Sequence, residues 1–461
     1  MDSQGKIIVL KRHMHLSDVG EQANVDRHPV ELLQNLIRFN TTNPPGNEEE
    51  CINYISNLLN EGGIETTILA LDPKRPNLIA RLSGRGCAPP LLLYGHVDVA
   101  TTENQTWQYP PFEGRLVEDY VWGRGALDMK GGIAMMLAAM LRAKAENLTM
   151  PGDVILAILS DEESGTINVC GAKYLVDNHA PLFKDCKYAV GEFGGFSFRV
   201  MNKCFYPIMV AEKQVCVIEA TIRGASGHPL SSIVQGGTTA KLGHMLKQLD
   251  TACLPIHITP VVRQMYEKMS SSLPFPANMM LRQVLNPMLT KQILKLLGKQ
   301  GRAMEPIFRN TICATLVQSG EAGRTIPGKA VAILVGGLLP GYGPVDLISE
   351  LKRFLGNDIE LNVLNYNIGP SAPDMKMFPI LVDILRELDT NGVPVPMLLT
   401  AITDGRIFSK LGIQTYGFLP MKLPPGFDFV KLLHGADERI PVEALTFGTE
   451  AIYKLLQCFD N

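Results

Sequence analysis

An acidic triplet, "DEE" at 161–163, directly follows the apolar run "VILAILS". Adjacent carboxylates repel one another and resist burial, so a compensating positive charge is expected close to them. Two other apolar runs end in a similar way, because "LLLYG" is followed by His96 and Asp98, and "KYAVG" by Glu192. Imidazole and carboxylate groups are common ligands of divalent metal ions, and the three runs therefore predict metal chemistry.

Two more candidate ligands lie outside these runs. Asp128 stands in the glycine-rich "GRGALDMKGG", and His434 stands in "KLLHGADE" near the C-terminus. Two histidines and several carboxylates exceed the three protein groups usual for one catalytic zinc. A pair of Zn²⁺ ions, with Co²⁺ or Mn²⁺ possible, therefore fits better than one ion, and a shared carboxylate can bridge such a pair. One of the two adjacent glutamates would then remain free as a base.

Each of these patterns has a simpler interpretation when it is taken alone. A single His-x-Asp on a strand is more often a structural hydrogen bond, and "DEESG" is more often a solvated strand end. The glycine-rich segment could be a turn or a weak phosphate loop, although it lacks the GK[ST] ending of a Walker motif. The occurrence of all the ligand types together, at successive strand ends, favours the metal site.

The elements that must position these residues alternate along the chain. Short apolar runs separated by helical patterns predict an α/β domain with a mostly parallel central sheet. In open sheets of this kind, ligands lie outside the carboxyl ends of the strands, where the candidate residues stand. Two helices, "VELLQNLIRF" and "INYISNLLNE", are predicted before the first strands.

The middle of the chain follows a different pattern. From "QVCVIEATIRG" to "IELNVL" the predicted order is β-α-β-β-α-β, which is typical of α+β ferredoxin-like domains. We therefore expect a first domain in two parts, 1–208 and 367–461, interrupted by a second domain at 209–366. A Met-, Pro- and Leu-rich stretch at about 255–305 predicts a helical insertion, whose apolar residues either line a cleft or form core.

Composition limits the class of protein. The chain has 461 residues, of which 46% are hydrophobic and 19% charged, and this predicts a folded globule of two domains. The net charge of −3 gives no reason to expect nucleic acid or an anionic membrane surface as the main partner. Nine scattered cysteines without a C-x-x-C pair, and a start without an apolar signal region, predict a cytoplasmic protein with no membrane span.

The motifs together resemble the family of aminoacylases, acetylornithine deacetylases, succinyl-diaminopimelate desuccinylases and glutamate carboxypeptidases, which are two-zinc metallopeptidases. The resemblance extends from about residue 28 to the end and rests on "GHVDV", "WGRGALDMKGG", "SDEESG", "RGASGHP", "TDGR" and "HGADERIPVE". The insertion and the last motif look most like the carboxypeptidase S and N-acyl-amino-acid hydrolase branch. The resemblance implies a zinc-peptidase-like catalytic domain with a lid.

The same resemblance assigns roles to the candidate residues. It implies that Asp128 bridges two zinc ions, that one ion is completed by His96 and Glu192, and that the other is completed by Glu163 and His434. Glu162 would be the general base and Asp98 would orient His96. The peptide bond between Asp128 and Met129 is expected to be cis.

Other implied roles concern the substrate and the lid. His228 in "GASGHP" matches a histidine that stabilises the oxyanion, often across a dimer interface, whereas without the resemblance a turn histidine would be favoured. Arg406 in "TDGR" matches an arginine that holds a substrate carboxylate, although it could also be structural. This chain has "RTIP" where the family has N-V-I-P, and "VGG" where it has D-x-R. Either Arg324 substitutes or the substrate lacks the second polar contact.

These features predict an enzyme that hydrolyses the amide bond of an N-acyl amino acid or a related small peptide-like substrate. A dipeptidase or carboxypeptidase of the same family is the enzymatic alternative. A catalytically inactive metal-binding scaffold is the alternative from another class. A homodimer through the lid is possible.

Overall fold

The computed structural model describes residues 28–164, 169–230, 236–251, 253–320 and 325–459. The strands in this part of the chain form a large sheet, a four-stranded sheet and a small three-stranded sheet. Their bounds are β1 (Thr66–Leu69), β2 (Asn77–Leu82), β3 (Leu91–His96), β4 (Arg115–Val117), β5 (Tyr120–Trp122), β6 (Val154–Leu159), β7 (Tyr188–Gly191), β8 (Phe198–Val200), β9 (Lys203–Glu212), β10 (Gln214–Arg223), β11 (Thr311–Ser319), β12 (Lys329–Leu338), β13 (Ile359–Tyr366), β14 (Gly392–Leu399), β15 (Gln414–Gly417) and β16 (Arg439–Pro441).

Helices cover both faces of the large sheet and one face of the four-stranded sheet. The described α-helices are α1 (Pro29–Arg38), α2 (Glu49–Glu61), α3 (Lys130–Ala145), α4 (Ala172–His179), α5 (Thr238–Thr251), α6 (Pro260–Ser271), α7 (Ala277–Gln283), α8 (Pro287–Leu296), α9 (Gly298–Met304), α10 (Pro344–Leu355), α11 (Phe378–Leu388), α12 (Gly405–Phe408), α13 (Phe429–Leu432) and α14 (Val442–Cys458).

The large sheet has the order β1-β2-β6-β3-β7-β15-β9-β14, with β8 paired to β9. Its centre is parallel, because β6, β3, β7 and β15 all run in the same direction. Strands β3 and β6 are buried along their whole length, as expected for parallel strands that are covered by helices on both faces. The fold is therefore of the mixed α/β class.

Antiparallel pairs flank this parallel centre. Strand β2 runs antiparallel to both β1 and β6, and β9 runs antiparallel to β15. The predicted parallel strands therefore form the centre of the sheet, and antiparallel strands extend it on both sides. The reason is local: β1 and β2 follow each other closely without a crossover helix, and a short connection can only join antiparallel strands.

Helix α3 runs through the core directly after the Asp128 loop. Its sequence "KGGIAMMLAAMLRAKA" has no polar face, and residues 130–141 are all buried. It packs against β3, α1 and α14, so that it is covered on several sides. A helix that is apolar all round must be enclosed in this way, and its position therefore fixes the loop that precedes it.

The four-stranded sheet has the order β11-β12-β10-β13, and its described pairs are all antiparallel. With α5 and α10 included, the order along the chain is the predicted β-α-β-β-α-β. Leu242 and Met245 of α5 and Leu347 and Leu351 of α10 form a separate core against the sheet. The unit thus has a hydrophobic core of its own.

Helices α6 to α9 occupy 260–304, within the predicted insertion. Val262, Met265 and Tyr266 of α6 are buried in the same core as the large sheet. Helix α6 packs on β14, which ends the sheet three strands away from β7. The apolar residues of α6 therefore form core at the sheet edge, which was the simpler of the two interpretations of this segment.

No helix among the residues that the structure describes combines the length and the hydropathy needed to cross a bilayer.

Candidate metal centre

Three parallel strands deliver the predicted ligands to one edge of the large sheet. His96 is the last residue of β3, and Glu192 directly follows β7. The "DEE" triplet at 161–163 follows β6 with only Ser160 between them. These strands are adjacent in the order β6-β3-β7, so their carboxyl ends lie side by side.

The structure brings the five predicted ligands together in two overlapping trios, which share Asp128. In the first, His96 Nε2 lies 3.2 Å from both Asp128 Oδ1 and Glu192 Oε2. In the second, His434 Nε2 lies 3.2 Å from both Asp128 Oδ2 and Glu163 Oε1. Asp128 therefore presents one carboxylate oxygen to each trio.

The Asp128 carboxylate is placed by the loop between β5 and α3. The peptide bond between Asp128 and Met129 is cis, as the resemblance implied. Helix α3 starts at Lys130, whose buried ammonium donates hydrogen bonds to the carbonyl oxygens of Leu36 and Phe39. The loop is thereby attached to the end of α1 by a charge-assisted contact.

The electrostatics of the first trio favour a cation at His96. Burial lowers the pKa of this imidazole, but the surrounding carboxylates, Asp128 first among them, raise it well above the ordinary value. A divalent metal ion competes with the proton for the same nitrogen lone pair. The environment that favours the protonated ring therefore also favours a bound cation.

The second trio has the same character. The adjacent carboxylates of Asp128 and Glu163, each 3.2 Å from the ring nitrogen, raise the pKa of His434 to about 10. Burial raises the pKa of Asp128, but the hydrogen bonds from His434 and His96 outweigh it and hold that pKa below its ordinary value. The bridging carboxylate is thus held in its charged form, which is the form that coordinates metal ions.

The donor set fits a pair of divalent ions. Each trio offers one imidazole nitrogen and two carboxylates, and its ligand atoms lie within 4.8 Å of one another. Oε1 of Glu163 is buried and accepts no hydrogen bond, although His434 Nε2 is 3.2 Å away. A cation between these atoms would satisfy this oxygen, and three protein ligands per ion leave room for a reacting molecule.

Glu162 belongs to neither trio, although it adjoins Glu163 in the chain. Burial raises the pKa of its carboxyl group well above the ordinary value, and the charge of Glu192 adds to this effect. The opposite charge of His96 acts in the other direction. Glu162 is therefore a carboxyl group beside the centre that is not used in holding it.

A comparison with family models decides the family. The model of peptidase family M20/M25/M40 matches residues 92–457, which include all five candidate ligands. The chain belongs to this family. Members of the M20 family are metal-dependent peptidases and amidohydrolases, and this chain is accordingly a metal-dependent hydrolase of amide bonds.

Two curated relatives match this M20 protein over most of its length. The N-fatty-acyl-amino acid synthase/hydrolase of Homo sapiens is 24% identical over 383 residues, which cover 81% of this chain and 74% of that protein. A probable carboxypeptidase S-like protein of Dictyostelium discoideum is 24% identical over 388 residues, which cover 80% and 71% respectively.

Solved structures of M20 proteins share the fold. A metallo-carboxypeptidase from Sulfolobus solfataricus matches with a TM-score of 0.64 at 15% identity, over 94% of this chain and 99% of that one. A dinuclear metal-binding peptidase from Bacillus subtilis matches with a TM-score of 0.56 at 13% identity, over 94% and 98%. The mixed α/β fold described above is therefore that of M20 peptidases.

Asp98 contacts both His96 and the acidic triplet. His96 Nδ1 lies 3.0 Å from the backbone carbonyl oxygen of Asp98 and 3.6 Å from its carboxylate Oδ1. The carboxylate accepts hydrogen bonds from the backbone N–H groups of Glu162 and Glu163, at 3.2 and 2.9 Å. The expected contact with His96 is thus made more closely by the backbone, while the side chain positions the loop that carries both glutamates.

Asp161, the first member of the triplet, has a different role. Its Oδ1 lies 2.7 Å from Arg75 Nη1, and its Oδ2 accepts hydrogen bonds from the N–H groups of Val169 and Cys170. Arg75 also pairs with the buried Glu48 at 2.8 Å. The positive charge expected near the triplet is therefore supplied in part by an arginine that sequence reasoning missed.

A second buried ion pair, Arg124 and Glu438, was also missed. Arg124 Nη1 donates to Glu438 Oε2 at 2.6 Å, and both side chains are inaccessible to solvent. Glu438 Oε1 accepts from the N–H groups of Leu127 and Asp128, while Arg124 Nη2 donates to the carbonyl oxygen of His434. The pair thereby joins the loops of two ligands, and its signal was present in "WGRG" and "HGADER".

The remaining predicted site residues are not part of either trio. His228 is exposed in the loop after β10, and its Nδ1 accepts a hydrogen bond from the N–H of Leu230. Arg406 is buried in α12, and its Nη1 donates to the carbonyl oxygen of Thr403 at 2.7 Å. Arg324 lies outside the described residues. Their roles toward the substrate remain predictions.

A narrow apolar cavity adjoins the centre. Its lining includes Asp128 and Glu192, together with apolar side chains from four segments: Leu127, Met129, Phe193, Phe196, Leu419, Met421, Phe429 and Leu433. The rings of Phe196 and Phe429 stack with centroids 4.1 Å apart. The cavity has a volume of about 10 Å³, which is enough for about one water molecule, so its apolar lining shields the Asp128 and Glu192 carboxylates on this side of the centre.

Proposed function

We propose that this M20 protein is an amidohydrolase that uses two Zn²⁺ ions, with Co²⁺ or Mn²⁺ possible, to cleave an N-acyl amino acid. The observation that carries the proposal is the position of Asp128, whose two carboxylate oxygens each face a separate histidine at 3.2 Å. Such a bridging carboxylate is what a pair of ions in one site requires.

In this proposal each side chain has a defined task. His96 and Glu192 would hold one ion, Glu163 and His434 would hold the other, and Asp128 would be shared by both. Bound divalent ions would supply Lewis acidity toward an amide carbonyl oxygen and lower the pKa of water. Glu162 takes the proton from the attacking water and delivers it to the leaving nitrogen. His228 in the lid stabilises the oxyanion.

The substrate class is proposed from the relatives. The human relative is named an N-fatty-acyl-amino acid synthase/hydrolase, which supports an N-acyl amino acid as the substrate. The cavity beside Asp128 and Glu192, at about 10 Å³, is too small to identify the acyl group. Arg406 would hold the free carboxylate of the amino acid.

A dipeptidase or carboxypeptidase is the second candidate, and it is favoured by the similarity to a carboxypeptidase S-like protein. A panel of N-acyl amino acids and dipeptides, assayed with metal-reconstituted protein, separates the two. Arg406→Ala should raise KM for free-acid substrates far more than for their methyl esters. Equal effects on both would remove Arg406 from carboxylate recognition.

Assembly and location are further parts of the proposal. The four-stranded domain, 209–366, would act as a lid and as the interface of a homodimer that brings His228 to the centre. Arg324 would replace the family asparagine as a substrate contact. All nine cysteines are free thiols, which supports a reducing, cytoplasmic location.

The decisive experiment compares two neighbouring glutamates. Glu162→Gln should retain two metal ions per chain and lose about 10³-fold in kcat, because only the base is removed. Glu163→Gln should lose metal as well, since it removes a ligand. The exposed Glu443→Gln is the matched control and should change neither. Metal-replete protein without activity on the whole panel would favour the inactive scaffold.

A further inference from the structure

The second half of the helical insertion differs from the rest of the chain in charge. Between Glu267 and Glu305 the sequence has no Asp or Glu, although it has six basic residues: Lys268, Arg282, Lys291, Lys295, Lys299 and Arg302. The chain has 46 acidic residues among 461, so about four would be expected in a stretch of this length. We call residues 268–304 the insertion surface. Its positive charge is opposite in sign to that of the whole chain.

The insertion surface is also unusually apolar for an exposed segment. Among the described residues, 21 large hydrophobic side chains are exposed, and seven of them fall within 23 residues of this segment: Phe275, Met279, Met280, Met288, Leu289, Leu296 and Leu297. Phe275, Met288 and Leu296 are 75%, 77% and 85% exposed. Clustered exposure of this kind marks an interaction site, whereas single exposed residues do not.

Helix α8 shows how the two properties are combined. Thr290 and Leu294, one turn apart, are buried against the protein. Met288, Lys295 and Leu296 lie toward the opposite side of the helix at 100° per residue, and all are exposed. The inner face therefore anchors the helix, and the outer face presents apolar and cationic side chains together.

The positive charge of the insertion surface indicates which kind of partner would bind to it. The exposed apolar side chains of this segment are accompanied by cationic and not by anionic residues of the same segment. This combination matches a surface that is apolar beneath an anionic layer, which is the structure of a bilayer with anionic lipids. A second copy of the chain would bring a second set of uncompensated cations into the interface. Nucleic acid would satisfy the cations but leave the Met and Leu side chains without a partner.

We propose that the insertion surface docks the protein on anionic lipid bilayers, with Phe275, Met288 and Leu296 entering the headgroup region. The contact is peripheral, since the described helices do not span a membrane. The net charge of −3 averages over this local concentration of positive charge and therefore conceals it. The proposal stands on exposure and charge alone and does not depend on the proposed enzymatic function.

Co-sedimentation with vesicles tests the proposal. Full-length protein at about 0.1 M salt should bind phosphatidylcholine vesicles that contain about 30 mol% phosphatidylglycerol, and bind pure phosphatidylcholine vesicles at least tenfold more weakly. Lys291→Gln/Lys295→Gln should weaken binding to the anionic vesicles by about tenfold or more. Met288→Ser/Leu296→Ser should weaken binding to a similar extent, since it removes the inserted groups.

Matched variants elsewhere on the surface serve as controls. Val345→Ser/Leu364→Ser removes exposed apolar side chains, and Lys352→Gln/Lys410→Gln removes exposed cations; both should bind as the wild type does. Equal binding to both kinds of vesicle, or unchanged binding by the insertion variants, would overturn the proposal. So would concentration-dependent self-association in sedimentation velocity that Met288→Ser/Leu296→Ser abolishes, because this would assign the surface to a second copy.

Discussion

His96 and Glu192 stand at the ends of adjacent buried strands, whereas Glu163 and His434 stand on loops. The exposed fraction of the histidine side chains differs accordingly, at 2% for His96 and 53% for His434. Strand-borne ligands are fixed by the same hydrogen bonds that build the sheet. Loop-borne ligands need separate support, which here comes from Asp98 and from the pair of Arg124 and Glu438. The two halves of the metal centre are thus held in place differently: the strand-borne half by the sheet, and the loop-borne half by contacts of nearby side chains.

The largest effect on metal binding and activity is expected for Asp128, which belongs to both halves of the centre. Asp128→Ala removes the shared ligand, so both ions should be lost and kcat/KM should fall by at least about 10³-fold. Metal content by atomic emission, measured with activity, checks this. Asp437→Asn is a matched control in the His434 loop and should keep both ions, because Asn can still accept the hydrogen bond from the N–H of Gln108. Retention of one tight ion by Asp128→Ala would show that the halves are independent.

The two histidines should differ in their effect on the metal-free protein. His96→Ala leaves buried carboxylates without their partner and should lower the free energy of unfolding by about 3–5 kcal/mol. His434→Ala removes a half-exposed contact and should cost about 1 kcal/mol or less. Urea unfolding of chelator-treated protein measures both. Similar values for the two variants would contradict the distinction between the halves.

The Arg124 and Glu438 pair should support the loop-borne half more than the strand-borne half, because it contacts the loops of His434 and of the shared Asp128. Glu438→Gln leaves the buried Arg124 charge unpaired, and we expect metal affinity in the second trio to fall by about 10–100-fold. The first trio should lose less affinity, because Asp128 is its one ligand that this pair contacts. Titration with Co²⁺, followed by its absorption, distinguishes the two ions. A uniform loss at both ions would mean that the pair stabilises the whole fold and not one loop.

The smallest effect is expected at Asn43, whose Nδ2 donates to Asp98 Oδ2 at 2.9 Å. Asn43→Ala removes one hydrogen bond to a charged group that keeps its other donors, so kcat/KM should fall about tenfold or less. Asn35→Ala, which removes a hydrogen bond to Tyr54, is the control and should leave kcat/KM unchanged. A larger loss for Asn43→Ala than for Glu438→Gln would reverse the order of importance of the two supports.

The sequence was sufficient to predict what depends on residue type and period. The parallel centre of the sheet follows from apolar runs separated by helical patterns, and the β-α-β-β-α-β order follows from the order of runs and helical patterns in the middle of the chain. His96, Glu163 and Glu192 were found because they follow apolar runs, whereas Asp128 and His434 were found in separate glycine-containing motifs. Each of these features depends on residues that are close together in the chain, and the sequence alone is therefore enough to predict it.

The remaining features depend on contacts between distant segments. Arg75 reaches Asp161 across 86 residues and Arg124 reaches Glu438 across 314, and no pattern in one sequence states such a pairing. The antiparallel pairing of β9 with β15 likewise brings together Met209 and Gly417, which are far apart in the chain. Exposure of Met288 and Leu296 could not be separated from burial by helical periodicity alone, because both give the same spacing.

The path of the chain into and out of the four-stranded sheet determines how this part of the protein could be exchanged. Strand β10 enters directly after β9, and the N–H of Asn367, just beyond β13, bonds to the carbonyl oxygen of Val215 at 2.9 Å. The points at which the chain enters and leaves the four-stranded domain therefore lie next to each other. A short Gly-Ser bridge could therefore join the two ends without stretching the parent sheet, but it would also remove α6 and uncover the core at the β14 edge.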